Sequence, residues 1–282
     1  MSIKILCIAG PTASGKSARA VEEALKSNGE IISVDSRQVY RGLDIGTEKI
    51  AKEEMRGVPH YLIDTRDPKD AYSAGDFVQD AARLIIEISA RGKLPILVGG
   101  THFYFDALIN GLPNGIDTNP ELREELERFS TEELYARVVG RDPRRAAELD
   151  SKNRRRLIRA LEIIEEKGKV PARPDLAQVY DVGWVVINPL AEELRARIDA
   201  RLEKALERGL VDEVRCVRGE VGDGRLNELG LEYKIVGEFL RNERTEASLL
   251  PTLSAKLWQY ARRQKAWLRK LNPATPLRPD KN

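Results

Sequence analysis

Residues 10–17 read GPTASGKS, an eight-residue pattern with glycine first and sixth, then lysine and serine. Those types at that spacing suit one task, holding a polyphosphate. The glycines let backbone N–H groups converge on phosphate oxygens, Lys16 adds a point charge, and Ser17 offers a hydroxyl to Mg²⁺. An apolar run, IKILCIAG, leads into the pattern and a helical pattern leaves it. The positive end of that helix would add a favourable dipole. Gly10, Pro11, Thr12, Ala13, Ser14, Gly15, Lys16 and Ser17 are therefore the candidate phosphate cradle, with Ser17 the candidate metal contact. ATP is only the commonest ligand of such a loop.

Two other short stretches could carry chemistry. SVDSRQVY sets Asp35 at the end of an apolar run. A carboxylate there can ligate Mg²⁺, accept a proton from an incoming nucleophile, or cap a helix. LPILVGGT ends a further apolar run in Gly99, Gly100 and Thr101. Two glycines allow close approach to the backbone, and Thr101 offers a neutral hydroxyl. That suits a leaving oxygen or a base edge better than a metal; the alternative is a cap for the helix that follows.

The elements that must position these residues alternate between strand and helix. Short apolar runs at IKILCIAG, EIISVDS, LPILVGGT and GWVVIN read as buried parallel strands. Helical patterns separate them, from Ser17 to about Lys26 and across GDFVQDAARLIIEISARG. This predicts an α/β fold, a P-loop NTPase-like parallel sheet flanked by helices, with ligands at the carboxyl ends of the strands. From Asn119 to Gly168 the strand signal disappears and helical pieces follow one another. The expected division is a catalytic core from residues 1–117 and 179–282, with an all-helical insertion domain at 118–178. A long helix is expected around Leu249 to Leu271.

Composition bounds the rest. The chain has 282 residues, 41% hydrophobic and 33% charged, with a net charge of +2. Any nucleic-acid affinity must then come from local clusters. KNRRRLIR gathers Lys152, Arg154, Arg155, Arg156 and Arg159, and AKLWQYARRQKAWLRK interleaves basic residues with Trp258, Tyr260 and Trp267. Part of that last helix reads as core, because Leu253, Leu257, Ala261, Gln264, Leu268 and Leu271 share one face. The two cysteines, Cys7 and Cys216, and two histidines, His60 and His102, give neither a disulfide framework nor a metal-ligand set. No apolar run approaches the roughly 18 residues of a membrane span, and the N-terminus does not read as a signal peptide. A reducing, cytoplasmic setting is expected, with no membrane partner.

Taken in order, GPTASGKS, ISVDSRQVYRGLDIGTEK, GVPHYLID, YSAGDF, PILVGGTHFY, NPELREELE, RRLIRALEI, RIDARLEKALERGLVDEV and QYARRQKAWLRK give the chain a close resemblance to tRNA dimethylallyltransferases. The resemblance runs along nearly the whole chain. It implies transfer of a dimethylallyl group from its diphosphate to N6 of the adenosine 3′-adjacent to the anticodon, with Mg²⁺ as cofactor and diphosphate released. By the same resemblance Asp35 is the base and Thr101 contacts the reacting region. The loop and Arg197 hold the leaving diphosphate. Asp35, Ser36, Arg37, Gln38, Thr101, Arg123, Arg155, Arg156, Arg159, Arg262 and Arg263 contact the tRNA anticodon stem-loop, and a monomer is expected. The chain departs from the family pattern at His102 and Phe103, at Arg155, and at GLEYK, residues 230–234. Prenylation of free AMP or ADP, small-molecule phosphorylation, and non-catalytic RNA binding are the rival readings. The helical insertion and the basic last helix favour a tRNA acceptor.

Overall fold

The computed structural model of the chain describes residues 2–112, 119–174 and 179–271. The expected domain boundary at 117–118, and residue 178, lie outside the described residues.

The strands are β1 (Ile3–Ala9), β2 (Gly29–Val34), β3 (His60–Tyr61), β4 (Leu94–Gly99) and β5 (Tyr180–Val186). They form one parallel sheet in the order β3-β2-β4-β1-β5. The four strands expected from sequence are present. The short β3 is an addition, within GVPHYLID, too brief to leave a periodic signal. Helices follow as α1 (Lys16–Ser27), α2 (Ala74–Ala90), α3 (His102–Asn110), α4 (Pro120–Leu126), α5 (Thr131–Arg141), α6 (Pro143–Glu148), α7 (Arg154–Lys167), α8 (Ala191–Glu207), α9 (Leu210–Leu226, broken at Gly222), α10 (Leu231–Leu240) and α11 (Glu246–Leu271).

Register explains how distant residues meet. Ala9 of β1 pairs with Gly99 of β4, and Gly99 pairs with Val34 of β2. Three strands therefore end at one level, which delivers the Gly10 loop, Asp35 and Gly100 side by side to one rim. A Cβ on Gly99 would sit 2.0 Å from the Val34 carbonyl oxygen, so only glycine fits between these strand ends.

Strand alternation sorts the core. Ile5, Cys7, Ile32, Val34 and Leu97 face α2 and α3, where Phe77, Ile85, Ile88 and Phe105 meet them. Ile8, Ile31, Ile96 and Val98 face Ala20, Val21 and Ala24 of α1. Both sheet faces are thus covered, as a parallel sheet requires. Burial pushes the Cys7 thiol up, which fits inert packing. A further layer packs residues 39–43 against α8, α9, α10 and α11 through Leu194, Ile198, Val214, Tyr233 and Leu253.

The described residues fall into two compact units, one within Met1–Ile109 and Gln178–Asn282, the other within Asn110–Ala177. The second consists of α4 to α7 around Leu126, Leu134, Val138, Leu157, Leu161 and Ile164. Its helices start on side-chain caps from Asn119, Ser130, Asp142 and Asn153. No helix among the described residues is long and apolar enough to cross a membrane.

Candidate active site

The rim opens into a cavity of about 1070 Å³ within the sheet-bearing unit. Residues 12–17 line it, with Asp35, Gly100, Arg201, Glu232, Leu257 and Tyr260. In the loop, Ala13 and Gly15 adopt positive φ of 60° and 83°, turning the chain directly into α1. Gly10 is required by contact, because a Cβ there would lie 2.5 Å from Ser14 Oγ. That hydroxyl is buried and has no hydrogen-bond partner. An orphaned donor inside a curled loop is what an incoming phosphate oxygen would satisfy. Burial lowers the Lys16 ammonium from its ordinary range against the pull of Asp35, and Arg201 adds to the lowering. A cation held this way gains from an arriving anion.

Asp35 has two jobs. Its Oδ1 accepts the backbone N–H groups of Arg37 at 2.8 Å and Gln38 at 3.3 Å, fixing the turn after β2. Among the described residues no hydrogen bond engages Oδ2. Oδ1 therefore caps a turn, not the helix that the capping reading expected, and Oδ2 is the oxygen left without a hydrogen bond. Thr101 Oγ1 accepts the Ser36 N–H at 3.2 Å, which ties the end of β4 to the Asp35 turn. It serves that turn and keeps its own O–H to donate. Ser17 and Asp35 also line a smaller recess of about 30 Å³, room for roughly one water-sized occupant. A hydroxyl and a carboxylate beside a phosphate loop are the donor set Mg²⁺ takes when phosphates and water complete its shell.

The structure separates residues that sequence grouped. Thr12 lies in the loop, but Gln264 Oε1 accepts its N–H at 2.9 Å and Arg201 donates to its hydroxyl. Thr12 is an anchor of the loop, its N–H and its hydroxyl oxygen engaged by protein and its own O–H left to donate. Gln38 turns inward, donating to the carbonyls of Thr47 and Glu48 and accepting from Ser33 Oγ. Ser36, Arg37 and Gln38 all line the cavity. Arg197 reaches the loop, donating to the Ser14 carbonyl at 3.3 Å, while its other arm pairs with Glu193.

Arg201, one helical turn beyond Arg197 on the same face, was not singled out by sequence. It is 12% exposed and held by Glu48 at 2.6 Å and Glu232 at 3.0 Å. The i, i+4 spacing from Arg197 was the available signal. Burial raises the Glu232 carboxyl against the pull of Arg201. Glu213 was also missed. It accepts the N–H groups of Asp44, Ile45 and Gly46 and the Tyr233 hydroxyl, and so shapes the cavity wall around Gly46 and Thr47.

The basic residues divide. Arg262 and Arg263 are exposed on α11, and the Tyr260 ring lines the cavity from the same helix. In the helical unit, Arg155 and Arg156 are exposed at the start of α7. Arg123 instead grips the fully buried Glu162 with two bonds, at 2.8 and 3.0 Å, and Arg159 adds a third at 3.2 Å. Burial pushes the Glu162 carboxyl up, but the bonds from Arg123 and Arg159 outweigh this and hold it below the ordinary range.

Comparison with known proteins is consistent along the chain. The family model described as IPP transferase matches residues 38–271, starting just beyond the phosphate loop and Asp35. The chain is 40% identical over 273 residues to a tRNA dimethylallyltransferase of Pediococcus pentosaceus, covering 94% of this chain and 88% of that protein. It is 41% identical over 276 residues to one of Thermomicrobium roseum, covering 95% and 84%. Among solved structures, the full-length tRNA isopentenylpyrophosphate transferase of Bacillus halodurans is similar with a TM-score of 0.72 at 38% identity, covering 95% of this chain and 87% of that one. A eukaryotic dimethylallyltransferase captured acting on tRNA is similar with a TM-score of 0.82 at 30% identity, covering 95% and 70%.

Proposed function

Because the chain belongs to the IPP transferase family, we propose that it transfers a dimethylallyl group from dimethylallyl diphosphate to N6 of the adenosine 3′-adjacent to the anticodon in tRNA. The observation that carries this reading is the shared cavity, in which a phosphate loop and a carboxylate with an unengaged oxygen face one space. Its volume exceeds what one small ligand needs, leaving room for a prenyl diphosphate and an extruded base.

The chemistry follows from these groups. The N6–carbon bond forms as the bond from the allylic carbon to the diphosphate oxygen breaks. Lys16, the loop N–H groups not already spent, the Ser14 hydroxyl and Arg197 receive the departing charge. Mg²⁺, contacted through Ser17, supplies further neutralisation of the diphosphate when bound. Asp35 Oδ2 takes the amine proton, and Thr101 donates its O–H beside it. Arg262, Arg263, Arg155 and Arg156 offer exposed charge to RNA phosphates. Arg123 and Arg159 hold the fold of the helical unit through Glu162 as well as any contact they make to RNA. Action as a monomer in a cytoplasmic setting belongs to the same reading.

The test supplies purified protein and Mg²⁺ with labelled dimethylallyl diphosphate and, separately, an anticodon stem-loop with adenosine 3′ of the anticodon, AMP, or no acceptor. Label in the stem-loop alone is expected. Label in AMP alone would make this an adenylate prenyltransferase. Phosphate transfer from ATP without prenyl transfer would return the loop to nucleotide chemistry.

A further inference from the structure

Resting on the prenyl-transfer reading, we infer that Gln264 is a positioning residue that sets the distance between the two reactants. Its side chain is 4% exposed and lies on an otherwise apolar face of α11, beside Leu257, Ala261 and Leu268. A buried amide there needs partners, and it has two on different loops. Oε1 accepts the Thr12 N–H at 2.9 Å, in the loop that holds diphosphate. Nε2 donates to the Gly100 carbonyl at 2.9 Å, next to Thr101.

Each loop carries one reactant's anchor. The Thr12 side belongs to the electrophile's leaving group. On the Gly100 side, the next residue, Thr101, accepts the Ser36 N–H, and that bond fixes the turn bearing Asp35, the base for the nucleophile. One amide therefore bridges the anchor of the electrophile and the anchor of the base. The packing around it is tight. A Cβ on Gly100 would meet Gln264 Nε2 at 2.5 Å and the Gly10 carbonyl at 3.4 Å, so Gly100 is glycine to admit this side chain. Gln264 borders the cavity, but both polar atoms of its amide are engaged by backbone, so it acts through the two loops.

A group that fixes separation contributes to the chemical step more than to binding of either substrate. Single-turnover transfer to the stem-loop, with dimethylallyl diphosphate affinity measured alongside, separates the two. Gln264→Met removes both bonds at similar volume. The expected result is a transfer rate lowered 10- to 100-fold with diphosphate affinity within about threefold. Gln264→Glu gives a sharper signature. Its carboxylate still accepts the Thr12 N–H, but opposes the Gly100 carbonyl until it is protonated and can donate. Its rate relative to wild type should therefore rise as pH falls from about 8 to about 6, which a purely structural lesion would not produce. If Gln264→Met fails to fold, Gln264→Glu, which keeps one bond, carries the test by its pH profile. A wild-type rate in Gln264→Met, a rate loss matched by lost diphosphate affinity, or a flat relative pH profile in Gln264→Glu overturns the inference while leaving prenyl transfer standing. Absence of transfer by the wild type overturns both.

Discussion

Asp35 Oδ1 accepts the backbone N–H of Arg37 at 2.8 Å, and among the described residues Oδ2 is left without a hydrogen bond. A carboxylate pinned on one oxygen presents the other in a fixed direction. The same bond lets a neutral amide hold the turn. Asp35→Asn can keep an acceptor for Arg37 and Gln38 while losing the proposed base. Transfer is expected to fall roughly 10²- to 10⁴-fold with little change in melting temperature or in affinity for dimethylallyl diphosphate. Single-turnover kinetics and calorimetry of the same preparation check this. Asp35→Ala should lose the turn as well, and with it some stability.

Glu162 and the arginines near it predict a split between fold and RNA contact. Glu162→Ala leaves Arg123 and Arg159 facing a buried site without their shared anion. Both arginines are partly exposed and can turn to water, so the expected cost is about 1–3 kcal/mol, seen as lost hydrogen-exchange protection across α4 and α7. The depressed carboxyl gives a matching pH effect. Its contribution is present above the ordinary glutamate value of 4.5 and is lost as pH falls through the lower folded value. The exposed pair behaves differently. Arg155→Ala with Arg156→Ala should shift stability by less than about 0.5 kcal/mol per site. It should weaken stem-loop binding and flatten its dependence on salt.

His102 predicts loss of stability in mild acid. Its ring stacks on Trp267 at 4.2 Å between centroids, with a buried and unpartnered Nε2. Burial, aided by the Lys16 charge, brings its pKa from the ordinary 6.5 down to about 4. Between these values the unfolded chain binds a proton that the folded chain refuses, so stability falls as pH drops from 6.5 and stops falling below about 4. The loss is on the order of 2 kcal/mol after discounting for solvent at the partly exposed ring. His102→Phe keeps a ring for Trp267 and should flatten the melting-temperature profile over that window. An unchanged profile would assign the acid sensitivity to other groups.

What the sequence made legible is the part governed by local rules. Four apolar runs, one phosphate loop and a strandless insertion announce an α/β fold interrupted by helices, because periodicity and glycine placement act within a few residues. The partners of those residues are another matter. Gln264 meets Thr12 across 252 positions and Gly100 across 164, so no spacing in the sequence could pair them. The one hint was an amide on an apolar helix face. Gly99 and Gly100 read correctly as sites of close approach, yet what approaches is the protein itself, the Val34 carbonyl and the Gln264 amide. Arg159 reads as an RNA contact because a basic run is visible and Arg123 because the resemblance implies it, while the buried Glu162 that holds both lies unremarked in RRLIRALEI.

The most direct measurement is mass spectrometry of an anticodon stem-loop after incubation with the protein, Mg²⁺ and dimethylallyl diphosphate, followed by fragmentation to locate any added group. Prenyl transfer with Asp35 as base predicts one five-carbon unit on N6 of the adenosine 3′ of the anticodon, with one diphosphate released for each, and none with Asp35→Asn on the same timescale. A stem-loop left unmodified by a protein that binds both substrates, or modification that survives Asp35→Asn at the wild-type rate, would contradict it.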